Sequence, residues 1–90
     1  MDLFSVLLDI QNYAEDCVVY VARPWTLESE TRVLPYSAHI LKYINTADQT
    51  FEYFLEISVI DELCFQFSHQ NLCLREQCQN ILEYAINTRL

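Results

Sequence analysis

The chain has no glycine and only two prolines among 90 residues. An average composition, roughly 7% glycine, would place about six in a chain this long. Their absence excludes a Gly-rich phosphate loop, a dinucleotide turn and a nucleophile elbow, all of which need a backbone position that a β-carbon would block. Basic residues are also scarce, with 5 Lys and Arg against 13 Asp and Glu, so the formal charge is −8 with both histidines neutral. A surface of that sign repels nucleic-acid phosphate and anionic lipid alike, and direct binding to nucleic acid or membrane is not expected. No apolar run approaches the ~20 residues needed to cross a bilayer. The start, Met1-Asp2, lacks a basic segment, and Asp9, Gln11 and Asn12 interrupt the apolar run that a secretory signal requires. These features predict a cytoplasmic protein.

What is present suffices for one core. Hydrophobic residues make up 52% of the chain, and this length favours a single domain over residues 1–90. Four cysteines, Cys17, Cys64, Cys73 and Cys78, read in that compartment as reduced, small, buried apolar side chains. The alternative is a zinc site from Cys64, His69, Cys73 and Cys78. It lacks a C-x-x-C knuckle, and two of its gaps are five-residue steps that turn side chains about 140° apart on a helix.

Periodicity divides the chain. Leu3, Val6, Leu7, Ile10 and Ala14 recur at helical spacing over residues 2–15, with Asp2 placed to cap the helix. Cys17–Ala22 is apolar on both alternating faces and rich in β-branched residues, as an inner strand would be, and Arg23-Pro24 ends it. Trp25 is expected to plug the rim of the core. A polar link leads to a second strand, Thr31–Leu34, halted by Pro35 and paired with the first as a hairpin. Ser37 is placed to cap a short helix through Ile40, Leu41 and Ile44. A turn at residues 45–48 precedes a third strand, in which Phe51, Tyr53, Leu55 and Ile57 form the buried face while Glu52, Phe54 and Glu56 point outward. Ser58 then caps a helix to about residue 70, with Val59, Ile60, Leu63, Cys64 and Phe67 inward. A last helix over 73–87 buries Leu74, Cys78, Ile81 and Ala85. The order predicts an α+β fold: a small three-stranded antiparallel sheet packed with one N-terminal and two C-terminal helices.

No catalytic set emerges from the residues. The near-neutral bases are His39 and His69, and periodicity puts Cys64 on an apolar face with His69 at its edge, the pattern of a surface histidine near a helix end. No metal and no cofactor is implied, because the acids lack the alternating oxygen ligands around glycine that a calcium loop uses. The acids do cluster. Residues 1–16 hold Asp2, Asp9, Glu15 and Asp16, and residues 48–62 hold Asp48, Glu52, Glu56, Asp61 and Glu62, both without a basic residue. Such a surface suits a cationic partner, with charge steering the encounter and aromatic anchors supplying lasting affinity. The candidate partner-binding residues are therefore Asp48, Glu52, Phe54, Glu56, Asp61, Glu62 and Phe65. Packing beneath a neighbouring helix is the alternative for each of the two phenylalanines.

A small acidic cytosolic chain without a catalytic set resembles the immunity proteins that bacteria make beside the toxins of contact-dependent growth inhibition. A strand ending near a Trp, as at Tyr20 to Trp25, and a Leu55-Glu56-Ile57 element leading into two closing helices are similar to small bacterial proteins of uncharacterised role. The first resemblance implies binding and neutralisation of one cognate toxin domain, often a nuclease with a basic cleft, whose phosphate ligand the acids would mimic. The competing readings are a homodimeric adaptor joined through Phe54, Phe65 or Tyr84, and a zinc- or thiol-dependent enzyme built on the cysteine and histidine cluster.

Overall fold

The fold was taken from a computed structural model, which describes residues 1–35 and 42–88. The elements are α1 (Leu3–Leu8), a 3₁₀ turn (Ile10–Asn12), β1 (Cys17–Ala22), β2 (Thr31–Pro35), β3 (Tyr43–Asn45), β4 (Thr50–Glu56), α2 (Ile57–Ser68) and α3 (Leu74–Asn87). The α+β class is as expected, but the antiparallel sheet has four strands in the order β2-β1-β4-β3, where the sequence predicts three. The added strand is the end of the segment expected to be a short helix. Tyr43, Ile44 and Asn45 pair with Glu52, Phe51 and Thr50, and the pairing puts Ile44 against the apolar layer around Phe51. The rest of that expected helix, with Ser37, His39, Ile40 and Leu41, lies outside the described residues.

β1 explains its own continuous apolar run. Val19 and Val21 join the main core under the helices, while Val18, Tyr20 and Ala22 form a second buried layer with Phe51 on the other face. A strand buried on both faces has no polar alternation to show. Trp25 plugs the core rim as expected: it is buried, its indole Nε1 donates to the Val21 carbonyl at 3.1 Å, and its ring meets Phe54 edge-on at 5.2 Å.

β4 departs from simple alternation. Val19 lies opposite Leu55 and Tyr20 opposite Tyr53, so Phe54 is an extra residue on β4, a β-bulge. Residues directly paired in an antiparallel ladder share a face. Glu52, opposite Val21, therefore lies on the helix side, and Glu56, opposite Val18, lies on the other side. Both Phe54 and Leu55 enter the main core, and Phe54 is 0% exposed. Phe51 and Tyr53 belong to the opposite layer. The expected acidic outer face of this strand does not exist, because one inserted residue swaps the faces midway.

Helix α1 is shorter than its periodicity suggests. Asp2 caps it, accepting from the Ser5 N–H at 2.8 Å, and hydrogen bonding with Ser5, through its side chain first and its backbone second, holds the carboxyl below the usual range. At the other end Asp9 shares its N–H between the Ser5 and Val6 carbonyls, and its carboxylate accepts from the Asn12 side chain at 2.6 Å. Short polar side chains that bond locally favour a helix end over its continuation, and the chain passes into the 3₁₀ turn. Helix α2 begins directly from the strand with Glu56 at its cap position, so Ser58 is a first-turn residue and not the cap. No described residue has a positive φ.

Candidate functional site

The seven candidate partner-binding residues do not share a surface. Asp48 is exposed in the turn before β4. Glu52 accepts from Arg23 Nε at 2.8 Å on the helix side of the sheet. Glu56 accepts from the Tyr53 hydroxyl at 2.9 Å on the opposite side. Phe54 is sealed in the core and touches no surface. Asp61 and Glu62 are neighbours on α2 but diverge, as successive helical residues must. Asp61 lines a groove against α1, whereas Glu62 borders a smaller hollow with Val59 and Tyr84. Of the seven, only Asp61 and Phe65 come together.

They meet in a groove of about 530 Å³ between α1 and the α2–α3 pair. Helix α1 and the 3₁₀ turn contribute Leu7, Leu8, Ile10 and Gln11, α2 contributes Asp61, Cys64, Phe65 and Ser68, and α3 contributes Leu74, Gln77, Cys78 and Ile81. The α2 and α3 sets each follow the i, i+3, i+4, i+7 rhythm of one helical stripe. Three large apolar residues at this groove stand open to solvent: Phe65 is 68% exposed, Leu74 63% and Leu8 48%. Phe65 meets the His69 ring edge-on at 4.9 Å. Gln11 Nε2 donates to Asp61 Oδ1 at 3.4 Å, a long bond.

Leu74 corrects an expectation, since periodicity placed it inward and the structure leaves it open. Its partners on that face would be Phe65 and Ser68, which flank an unfilled slot. The sequence does hold a signal for this second stripe, in the spacing of Asp61, Cys64, Phe65 and Ser68, but the stronger inward stripe of Ile57, Ile60 and Leu63 masks it.

The cysteines divide by location. Cys78 is buried, Cys17 and Cys64 are half-buried, and Cys73 is exposed, contrary to a uniformly buried set. Burial pushes the Cys78 thiol up to about 11, with Cys64 adding to the effect and Arg75 opposing it. Burial, followed by the Asp61 charge, also raises Cys64. Both groove thiols are therefore protonated at neutral pH, the form that neither attacks an electrophile nor binds metal well. Cys73 sits at the cap position of α3, its thiol donating to Glu76 Oε1 at 3.2 Å. Among the described residues no group of three or more His, Cys, Asp or Glu side chains is placed to hold a metal ion, and Cys64, His69, Cys73 and Cys78 do not converge on one.

Each described arginine engages a group of its own chain. Arg23 lies 4.1 Å from the centre of the Trp25 ring while pairing with Glu52. Arg32 lies over Phe51 at 5.1 Å, and Arg75 lies over Phe4 at 5.4 Å while pairing with Glu28 at 2.8 Å. The amino group of Met1 pairs with Glu30. Asp9, Glu15, Asp16, Asp48, Asp61, Glu62 and Glu83 form no ion pair among the described residues. Among the described residues no helix is long and apolar enough to cross a membrane.

Comparison of the chain with protein-family models, with curated proteins and with solved structures finds no match.

Proposed function

We propose that this chain is a cytoplasmic, non-enzymatic immunity protein, which binds and neutralises a cognate contact-dependent inhibition toxin domain, a basic RNA- or DNA-cleaving nuclease. The observation that carries the reading is the fate of the charges. Each described arginine is engaged by the chain's own rings or carboxylates, while most of the acids face solvent without a counter-ion. The resulting field accelerates encounter with a cationic protein and orients it. Because the acids lie on both faces of the sheet and on two sides of α2, the charge acts as a whole-surface field. A single acidic row along β4 is not available to mimic a phosphate chain. Lasting affinity then has to come from apolar anchors, and Phe65 is the most exposed large one.

The test is to mix the protein with the product of the adjacent reading frame. A one-to-one complex that suppresses nuclease activity, with an association rate that falls as salt rises, is expected. Absence of a complex at low salt would refute the reading. The exposed rings of Phe65 and Tyr84 favour a second reading, a homodimeric adaptor, against which stands the −8 charge that each copy carries. Light scattering decides between them, since a stable dimer indifferent to basic proteins is the outcome of the second.

A further inference from the structure

The groove between α1 and the α2–α3 pair is lined along its length by matched stripes of two helices. On α2 and α3 its lining residues fall at equal distances from Asn71 in the connecting turn: Ser68 with Leu74, Phe65 with Gln77, Cys64 with Cys78, and Asp61 with Ile81. Two stripes matched about a short turn make a slot whose length, from Asp61 to Ser68, is about 10 Å, or two turns of helix. The slot has a direction. Phe65 and Leu74 stand open at the turn end, and Asp61 with Gln11 occupies the other.

We infer that this slot docks an amphipathic helix of a basic partner protein, seated by apolar side chains at i, i+3 or i+4, and i+7, with a Lys or Arg of that helix at Asp61. The inference rests on reading the chain as a binder of a basic protein, and it names the part of the partner that is bound. Charge selects the occupant. Among the described residues no Lys or Arg lines the slot, and the single long bond from Gln11 leaves the Asp61 carboxylate with acceptor capacity to spare. A second copy of this chain would bring another surface of −8 to a slot whose described lining holds no Lys or Arg. The thiols at the floor are protonated and polarizable, and they pack as apolar surface against an incoming side chain. This is the helix-in-groove mode, which couples spaced apolar anchors to a charge that fixes orientation.

The experiment titrates the intact protein with a synthetic alanine-based helical peptide about four turns long. It carries leucines at i, i+4 and i+7 and lysine at both ends, and a control peptide has glutamate at the ends. Fluorescence anisotropy reads binding. The lysine peptide is expected to bind at least about tenfold more tightly than the control, and Phe65→Ala or Leu74→Ala to weaken it by about tenfold, the scale of a hot-spot side chain. Asp61→Asn should shrink the preference for lysine while the peptide still binds. Failure of both peptides to bind, or affinity unchanged by Phe65→Ala, overturns the inference, as does a dimer of the native protein that Phe65→Asp dissociates in sedimentation. A parallel titration with the toxin domain separates the two readings. Toxin binding that survives Phe65→Ala overturns the slot and leaves the inhibitor intact, whereas a bound peptide with no toxin binding supports the slot and overturns the inhibitor.

Discussion

Replacing Phe54 by alanine tests the bulge, and with it the division of this molecule into core and surface. The ring is fully buried between the sheet and the helices and meets Trp25 edge-on at 5.2 Å. Truncating such a phenylalanine costs about 3–5 kcal/mol, in lost transfer energy and in the cavity left behind. The ring pair accounts for about 0.5–1.5 kcal/mol of interaction beyond simple burial. A domain of this size has a total stability of roughly 5–13 kcal/mol. With a urea slope of about 1 kcal/mol/M, the midpoint should fall by about 3 M or more. Should Phe54→Ala prove too unstable to measure, Phe54→Leu leaves a smaller cavity but still removes the ring pair, and should lose about 1–2 kcal/mol. Phe65→Ala is the counterpart and should stay within about 0.5 kcal/mol of the native protein, as exposed positions do. Equal and small losses at Phe54 and Phe65 would refute the placement of Phe54 in the core under the helices, which is where the bulge puts it.

Val19 is fully buried between β2 and β4, so Val19→Asp buries an unpaired charge at a cost of several kcal/mol. Circular dichroism should show an unfolded chain at 25 °C. Thiol labelling near neutral pH should modify Cys73 first and reach Cys78 only on unfolding. Because the folded Cys78 thiol ionises near 11 and the unfolded one near its ordinary 9.0, the folded state holds its proton longer. Stability should then fall as pH rises through that window, and a Cys78→Ala variant should show a shallower fall, with Cys64 keeping its own share. The Glu28 carboxyl has the opposite sign. Its hydrogen bond with Arg75 depresses it below the ordinary 4.5, so the small benefit is present above that value and lost as pH falls through the depressed one. The gap in melting temperature between native protein and Arg75→Ala should accordingly be wider near about pH 7 than near about pH 3, with the residue of the gap due to stacking on Phe4.

Elements that rest on a strong local pattern were legible in the sequence. Cys17–Ala22 is an unbroken apolar, β-branched run and α2 and α3 each carry a helical period, while the Asp2 cap and the Trp25 plug follow from single residues whose chemistry leaves few alternatives. What escaped was set by partners. β3 is three residues long, and its pairing with β4 outweighs a helical spacing that is equally plausible locally. The bulge at Phe54 has no composition signature, since it arises from how β4 meets β1 and then passes straight into α2. That one unseen residue dissolved the acidic row on β4 and left the site to be found elsewhere. Half of the groove was readable, in the exposed position of Phe65 beside Asp61, but the open position of Leu74 depended on how α1 fails to cover α3.

That no described residue has a positive φ bears on how such a protein can drift. Both long helices end in right-handed residues, His69 and Thr88, where a left-handed glycine is the common stop. No described position then penalises a β-carbon, so replacements in the connecting segments are screened by side-chain bonding and packing, with no veto from the backbone. The turn from His69 to Cys73, which joins the ends of the α2 and α3 stripes that line the groove, can therefore exchange its side chains without backbone strain while the scaffold beneath it keeps its shape.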